Sequence, residues 1–212
     1  MSYDGDRLPE HDNDIDLGSP ARQWRKGYFG TDLRVGAGVW EDLRFPAQGI
    51  NPPGNVGDPA VSTVTGLLEF SGTADNLIAG AAQMPHGWLE GTNVRPHIHL
   101  RFPTLAASKA NRWKLEYDLG SVLGVFESNY GTYAHSDTIT VANPNDIKLH
   151  ALADFSEIDM AGHTVSAVIM WRLFRLANSD AADNDTTTSV LVELDFHYRA
   201  DAGGSVQEYV KS

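Results

Sequence analysis

Cysteine is absent from this sequence of 212 residues, and basic residues are few. Without thiols the chain cannot form disulfide frameworks, thiolate zinc sites or cysteine nucleophiles. Lysine and arginine total 16 against 28 acidic residues, which gives a formal net charge of −12. Because binding to nucleic acids and to anionic membranes depends largely on Lys and Arg, we expect neither as a partner.

Long apolar runs and the common catalytic motifs are missing as well. No stretch approaches the ~18 consecutive apolar residues of a membrane helix, and the amino terminus has neither the basic nor the apolar region of a secretory signal. We therefore expect a soluble protein that enters no secretory route. The sequence also has no Walker-type phosphate loop, Gly-x-Ser-x-Gly elbow or His-Glu-x-x-His helix. It therefore assigns no catalytic residue and no cofactor, and it predicts a protein that is not an enzyme.

Composition divides the chain into three regions. Residues 1–23 are predicted to be a flexible acidic arm, because they offer almost nothing apolar to bury; an arm that folds onto a neighbouring subunit is the alternative. Residues 24–60 are predicted to be an irregular segment anchored by aromatic residues, followed by a Pro/Gly loop. Residues 61–212 form the predicted folded domain. The acidic residues of the arm are Asp4, Asp6, Glu10, Asp12, Asp14 and Asp16.

Alternation of apolar and polar residues is the main structural signal after residue 61. Residues 96–102, 112–117 and 190–198 each place apolar side chains on one face, which is typical of half-buried strands. Residues 165–176 are apolar on both faces, which predicts a strand covered on both sides by a second sheet or a neighbouring subunit. Weaker strand candidates are residues 61–70, 121–127, 137–141, 147–152 and 205–210, and single helical turns are predicted at 105–111 and 154–160. The predicted fold is all-β, a jelly-roll-like sandwich with an extended N-terminal arm.

Histidines supply the one arrangement that could hold a metal. His97 and His99 are two residues apart on a predicted strand, so their imidazoles emerge on one face about 6–7 Å apart. Asp195 and His197 repeat this spacing on another strand. If the strands were neighbours, these residues could form the site of a metal-dependent, cupin-like jelly-roll enzyme. Arg101 on the same face would repel a cation, so we interpret the histidines as part of a polar sheet face or subunit seam and assign no metal.

Two further interpretations concern saccharides. The segment 83–92 holds Pro85, Gly87, Trp88 and Gly91, which is typical of a tight loop in which the Trp covers the edge of the core. A glycan-binding module that uses Trp88 as a stacking platform is the alternative. Carboxylates for glycoside hydrolysis could be drawn from Glu90, Glu116 and Glu193, but the pairing of the strands that carry the last two is not determined by the sequence.

Seven short motifs follow one another between Trp40 and Lys211. They are 40–45 (WEDLRF), 83–88 (QMPHGW), 90–92 (EGT), 95–99 (RPHIH), 193–198 (ELDFHY), 204–205 (GS) and 207–211 (QEYVK). In this order they resemble a family of tailed-bacteriophage virion structural proteins, and the acidic arm lies outside the resemblance. The resemblance implies no catalytic residues. It implies that nine motif residues define fold and assembly: Pro85, His86, Trp88, Pro96, His97, His99, Asp195, His197 and Tyr198.

The resemblance also implies where the protein acts. A capsid decoration or cement protein on the outside of the head is the most specific role, and a neck or tail component is the alternative. The expected partners are the major capsid protein or other virion proteins, and the expected location is the virion, assembled in the host cytoplasm. A decoration protein gains affinity from several weak contacts made by one oligomer, so we expect a homo-oligomer, with a homotrimer as the specific hypothesis.

Overall fold

The computed structural model describes residues 34–52, 54–126, 133 and 135–205. The predicted arm and most of the strand candidate at 205–210 therefore lie outside the described residues. Regular structure in the described ranges consists of ten strands and one short 3₁₀ turn, Ala47–Gly49. The strands are β1 (Arg34–Pro46), β2 (Ala60–Val61), β3 (Leu68–Phe70), β4 (Asn76–Gln83), β5 (Arg95–Arg101), β6 (Ala110–Gly120), β7 (His135–Ala142), β8 (His150–Asp154), β9 (Val168–Arg175) and β10 (Ser189–Ala202).

The strands form two antiparallel sheets that pack as a sandwich. The first sheet has the order β2-β3-β10-β5-β8, with β1 also paired to β10, and the second has the order β4-β9-β6-β7. Strand β10 is central, because β3 and β1 follow one another along one edge and β5 pairs with the other edge. This architecture confirms the predicted all-β sandwich. No helix long and apolar enough to cross a bilayer occurs in the described part of the chain.

Strand β1 corrects the prediction of an irregular segment at 24–60. Residues 34–46 form a long strand on β10, so the sandwich includes residues well before the predicted boundary at 61. Leu43 and Phe45 pack against the core and the residue between them faces outward, which is an alternation too short to detect by sequence period. The register shifts between Arg34 and Val39, where Gly38 has a φ of +70°. This irregularity interrupts the pattern that would have indicated a strand.

Other elements differ from expectation for local reasons. Strand β4 was not predicted, because its sequence NLIAGAAQ is rich in small residues with low strand propensity. The candidate at 61–70 is split into β2 and β3, and residues 121–126 form a turn instead of a strand. The two predicted helical turns are also wrong. Residue 110 begins β6, and Ile158 forms a β-bridge with Val94.

The core lies between the sheets and follows the predicted alternation. Ile98, Leu100 and Phe102 are fully buried, as predicted. On β9 the predicted inner face is buried as well, whereas Val168, Met170, Arg172 and Phe174 on the outer face are half-buried. The side chains of Lys114 and Arg172 lie over the Phe174 ring, with cation-to-centroid distances of 4.6 and 5.5 Å. Within one chain, cationic side chains therefore cover Phe174 on the outer face of β9.

A buried polar network joins the 176–188 loop to the end of the sandwich. Arg175 and Asp183 form a fully buried ion pair at 3.0 Å, and Arg175 also donates hydrogen bonds to backbone carbonyls. Asp185 accepts hydrogen bonds from the side chains of Asn111, Asn143 and Thr187 at 2.9, 2.6 and 2.7 Å. Burial by itself raises the pKa of Asp185, but the hydrogen bonds from Asn143, Thr187 and Asn111 outweigh it and hold the pKa below the ordinary value of 3.8.

Substituting Gly72 tests the close approach of two loops. A Cβ at Gly72 would collide with the backbone carbonyl group of Thr186, so Gly72→Ala must displace the main chain. We expect a loss of at least about 2 kcal/mol and a fall in Tm of at least about 4 °C, measured by thermal unfolding. Gly57→Ala is the control, because a Cβ there meets nothing within 4 Å. Equal melting temperatures for the two variants would contradict the close approach of these loops.

Acid unfolding tests the role of Asp185. Its pKa is lowered in the folded state, so its stabilising effect is present at neutral pH and is lost as the pH falls below 3.8. We expect Asp185→Asn to cost about 1–3 kcal/mol at pH 7. Denaturant titrations at several pH values measure the free energy of unfolding of both proteins. The difference between the wild type and the variant should shrink as the pH falls below 3.8. The exposed Asp146→Asn variant controls for the loss of one negative charge. A pH-independent difference would contradict this account.

Candidate functional site

The outer face of the first sheet collects polar side chains from four adjacent strands. Since Ile98 and Leu100 face the core, His97 and His99 of β5 point to the opposite face. The register pairs His97 with Asp195 and His99 with Glu193 on β10. The outer face therefore carries histidines and carboxylates on neighbouring positions of β5 and β10, with β1 and β8 beside them.

A bulge in β10 determines which side chains meet. Leu191 pairs with Leu100, and the next pair is Glu193 with His99, so β10 advances by two residues where β5 advances by one. As a result Leu191 belongs to the core cluster, whereas unbroken alternation back from Leu194 would put Val190 and Val192 on the inner face. Beyond the bulge, Leu194, Phe196 and Tyr198 face inward as predicted. Asp195 consequently lies beside His97 on the outer face.

His97, His99 and Asp195, which we call the His-His-Asp triad, bring three potential ligand atoms together. His97 Nε2 and His99 Nε2 lie 2.9 Å apart. Asp195 Oδ2 lies 3.4 Å from the first nitrogen and 3.0 Å from the second. The convergence of these three residues, which the sequence raised as a possibility if the strands were neighbours, is thus present.

The triad is largely shielded from solvent. The side chains of His97 and Asp195 are 3% and 5% exposed, and that of His99 is 20% exposed. Burial lowers the pKa of His99, and the neighbouring imidazoles of His97 and His150 lower it further, which outweighs the attraction of Asp195. This environment favours the neutral form of His99. A neutral imidazole is the form that hydrogen-bonds or ligates through a free lone pair.

The fourth sequence candidate and an unpredicted histidine occupy the edges of this cluster. His197 Nε2 contacts Asp42 Oδ1 of β1 at 2.9 Å, so this nitrogen is directed to a different carboxylate. His150 of β8 instead approaches the triad, with its Nε2 2.6 Å from His99 Nδ1. The sequence did not indicate His150, because neither residue two positions away from it is a histidine or a carboxylate. The pairing of β8 with β5 is the only signal that places it here.

Arg44 and Arg101 are two positively charged residues on the same sheet face as the triad. Arg44 lies across from Asp195 in the register, but its guanidinium binds Glu193 Oε2 at 2.7 Å. Arg101 pairs with His150 on β8 and is two positions from His99. The other oxygen of Asp195, Oδ1, is buried without a hydrogen-bond partner among the described residues. The carboxylate of Asp195 therefore has the two triad imidazoles as its polar contacts.

Trp88 is a core residue, which corrects its proposed role as a sugar-stacking platform. The side chain is completely buried, and its Nε1 donates a hydrogen bond to Thr92 Oγ1 at 3.1 Å. A ring that is enclosed on both faces cannot stack on a saccharide. The prediction that Trp88 covers the edge of the core is confirmed by its burial and by its β-bridge to Ala200.

The three glutamates considered for glycoside hydrolysis do not form one site. Leu115 faces the core, so Glu116 faces outward from the second sheet, where it pairs with Lys114 at 2.8 Å. Glu193 faces outward from the first sheet, on the other side of the sandwich. Glu90 accepts a hydrogen bond from the backbone N–H of Val165 at 2.7 Å. Glu116 and Glu193 thus point away from each other across the core.

A shallow depression of about 300 Å³ adjoins the polar face. Its walls include Trp40, Arg95, Glu157 and Arg199. Arg95 binds Glu157 at 2.6 Å, and its guanidinium carbon lies 4.8 Å from the centroid of the Trp40 ring. The Arg199 guanidinium also approaches this ring, at 5.8 Å. Trp40, although half exposed, is therefore engaged by cations of the same chain.

Comparisons with known proteins assign no family. No family model matches the sequence, and no curated protein matches it. One of the solved structures that resemble the fold is the C-terminal family 22 carbohydrate-binding module of Xyn10B from Clostridium thermocellum, studied for conserved amino acids of its cleft in ligand binding. The sequence identity is 10% and the TM-score is 0.26, over 76% of this chain and 98% of that one. A likeness of this degree carries no argument about function.

Paired substitutions test the positions of the two tryptophans. Trp88→Ala should lower the free energy of unfolding by about 3–5 kcal/mol, because it leaves a large cavity and removes the indole N–H that donates to Thr92 Oγ1. Trp40→Ala should cost about 1 kcal/mol or less, because half of that side chain is already in solvent. Denaturant titration of both variants measures the difference. Similar losses for both would contradict the assignment of Trp88 to the core and Trp40 to the surface.

Proposed function

We propose that this chain is a structural protein of a tailed-phage virion, and that it decorates the outside of the head. The sequence resemblance supports this role, and one structural observation carries it further. Five of the motif segments are far apart in the sequence, yet they lie on three adjacent strands, β1, β10 and β5, and on the 83–92 loop. They are 40–45, 83–88, 90–92, 95–99 and 193–198, and segment 207–211 lies outside the described residues. Residues that recur for a structural purpose are expected to meet in one packed unit.

The 83–92 loop is joined to the end of β10 by backbone hydrogen bonds. Leu89 N donates to Arg199 O at 2.6 Å, and Asp201 N donates to Gly87 O at 3.0 Å. His86 contacts the hydroxyl groups of Ser166 and Ser205 at 3.1 and 2.7 Å, and so links this loop to two other segments. In this arrangement Trp88 is buried and His86 is held by two hydroxyl groups, so both motif residues maintain the fold.

Surface chemistry also favours contact with a protein shell. The turn at 121–126 exposes four apolar side chains: Val122, Leu123, Val125 and Phe126. Exposed apolar groups in one short segment are a feature of protein-protein contacts. The net charge of −12 disfavours competition for packaged DNA. We further propose that the protein acts as a homotrimer, since several copies of a weak contact act together on a symmetric shell.

Locating the protein in the particle tests the proposal. Cryo-electron microscopy of the source particle should show many copies at equivalent positions on the outside of the head. A single ring or a few copies at one vertex would move the protein to the neck or tail, and complete absence from purified particles would overturn a virion role.

Light scattering of the purified chain tests the trimer, which a monomer at micromolar concentration would contradict.

A binding experiment tests the contact surface separately. Purified protein is added to particles that lack it and is then co-sedimented with them. Replacing Leu123 and Val125 together by Ser should reduce the bound fraction, because both side chains are almost fully exposed and can only contribute through a partner. Val64→Ser is the matched control, since Val64 is equally exposed on a different turn. Equal losses for both variants would contradict a contact through 121–126.

A further inference from the structure

The His-His-Asp triad has the dimensions of a metal site. Its three ligand atoms are separated by 2.9, 3.0 and 3.4 Å, so the circle through them has a radius of about 1.8 Å. An ion bound at the usual zinc distances of about 2.0–2.2 Å would therefore lie about 1 Å out of the plane of these atoms. All three ligands would be on one side of the ion, and the open side would be left for solvent or another ligand.

Hydrogen bonding alone satisfies this triangle poorly. If both Nε2 atoms carried protons, two N–H groups would face each other across 2.9 Å; if neither did, two lone pairs would face each other beside a carboxylate oxygen. If only one of the two nitrogens carried a proton, that proton could form a hydrogen bond along one side of the triangle, and the other sides would have none. A divalent cation accepts all three lone pairs at once, and so it removes the repulsion between the ligand atoms.

The buried negative charge of Asp195 is an independent reason to expect a bound cation at the triad. Its side chain is 5% exposed, and its Oδ1 has no hydrogen-bond partner in the described part of the protein. The arginine opposite, Arg44, is bound to Glu193. Buried carboxylates in proteins are paired with a cation or coordinate a metal. The buried Asp183 follows this rule through Arg175. Asp195 has direct contacts only with imidazoles, and Arg44 acts on it electrostatically without binding it.

The surroundings of the triad resemble the outer shell of a metal centre. Histidines that bind a metal through one nitrogen are usually held by a hydrogen bond at the other. His99 has this arrangement, because its Nδ1 lies 2.6 Å from His150 Nε2. An Nδ1–H that donates to His150 leaves the lone pair of His99 on Nε2, which is the atom that faces the triad.

We propose that His97, His99 and Asp195 bind one divalent zinc ion through Nε2, Nε2 and Oδ2, with His150 as the residue that positions His99. Imidazole ligands suit zinc and its neighbours in the first transition row, whereas calcium and magnesium require mostly oxygen ligands. The ion connects β5 to β10 and stabilises the centre of the first sheet. Arg101 is two positions from His99 along β5 and does not enter the ligand set.

Zinc titration of the tag-free, chelator-treated full chain tests the site. Isothermal calorimetry should give one equivalent of bound zinc, and the Tm should rise by about 5–10 °C at a zinc concentration 100-fold above Kd. In NMR spectra, zinc should shift the ring signals of His97 and His99 but not those of the exposed His135. Failure of zinc, cobalt and nickel to bind stoichiometrically would overturn the proposal.

Variants separate this site from surface binding. His99→Gln and Asp195→Asn should each weaken zinc binding by about 100-fold or more, and His150→Gln by about 10–100-fold. The matched control is His135→Gln, which removes an exposed histidine of the second sheet and should bind zinc like the wild type. Circular dichroism confirms folding, and if Asp195→Asn fails to fold, the less buried His99→Gln decides. Wild-type affinity in the folded triad variants would show adventitious binding and overturn the proposal.

Discussion

The register of β10 against its neighbours is the constraint on which the rest of the structure depends. This strand pairs along one edge with β3 and then β1, and along the other edge with β5. Because side chains alternate between the two faces of a sheet, a slip of one residue would exchange its core and outer sets. The bulge between Leu191 and Glu193 shifts the alternation of inward and outward side chains by one residue at this point of β10. Leu191 and Leu194 can then both face the core, and Asp195 faces His97.

Burial of charge shows how differently two parts of the molecule are organised. At the end of the sandwich, Asp183 is paired with Arg175, and Asp185 receives hydrogen bonds from three neighbouring side chains. Each group there has partners that offset the cost of its desolvation. On the outer face of the first sheet, Asp195 is nearly as buried but contacts only the triad histidines. A carboxylate with no cation in direct contact, since Arg44 is bound to Glu193, is suited to bind one from solution.

The proposed virion role and the proposed metal site concern the same sheet. The motif segments 40–45, 95–99 and 193–198, on which the proposed virion role rests, lie on β1, β5 and β10, and the triad lies between β10 and β5. A chain without cysteine cannot reinforce this sheet with disulfides or thiolate zinc, whereas two imidazoles and a carboxylate can connect its central strands. The apolar turn at 121–126 follows β6 of the other sheet, so the surface proposed to contact the shell does not involve the triad.

Sequence alone determined the fold class and the facing of the regular strands, because alternation at 96–102 and 112–117 records directly which side chains leave water. It also offered His97, His99, Asp195 and His197 as candidate ligands while assigning no metal, since spacing by two residues places groups on one face. It could not identify β1, whose pattern is interrupted near Gly38, or β4, which is rich in small residues and where the Trp171 ring leaves no room for a Cβ at Gly80. Nor could it place His150 beside His99 or direct His197 to Asp42. Those outcomes depend on strand pairing and on the β10 bulge, which are contacts between residues distant in the chain, and only the tertiary structure decides them.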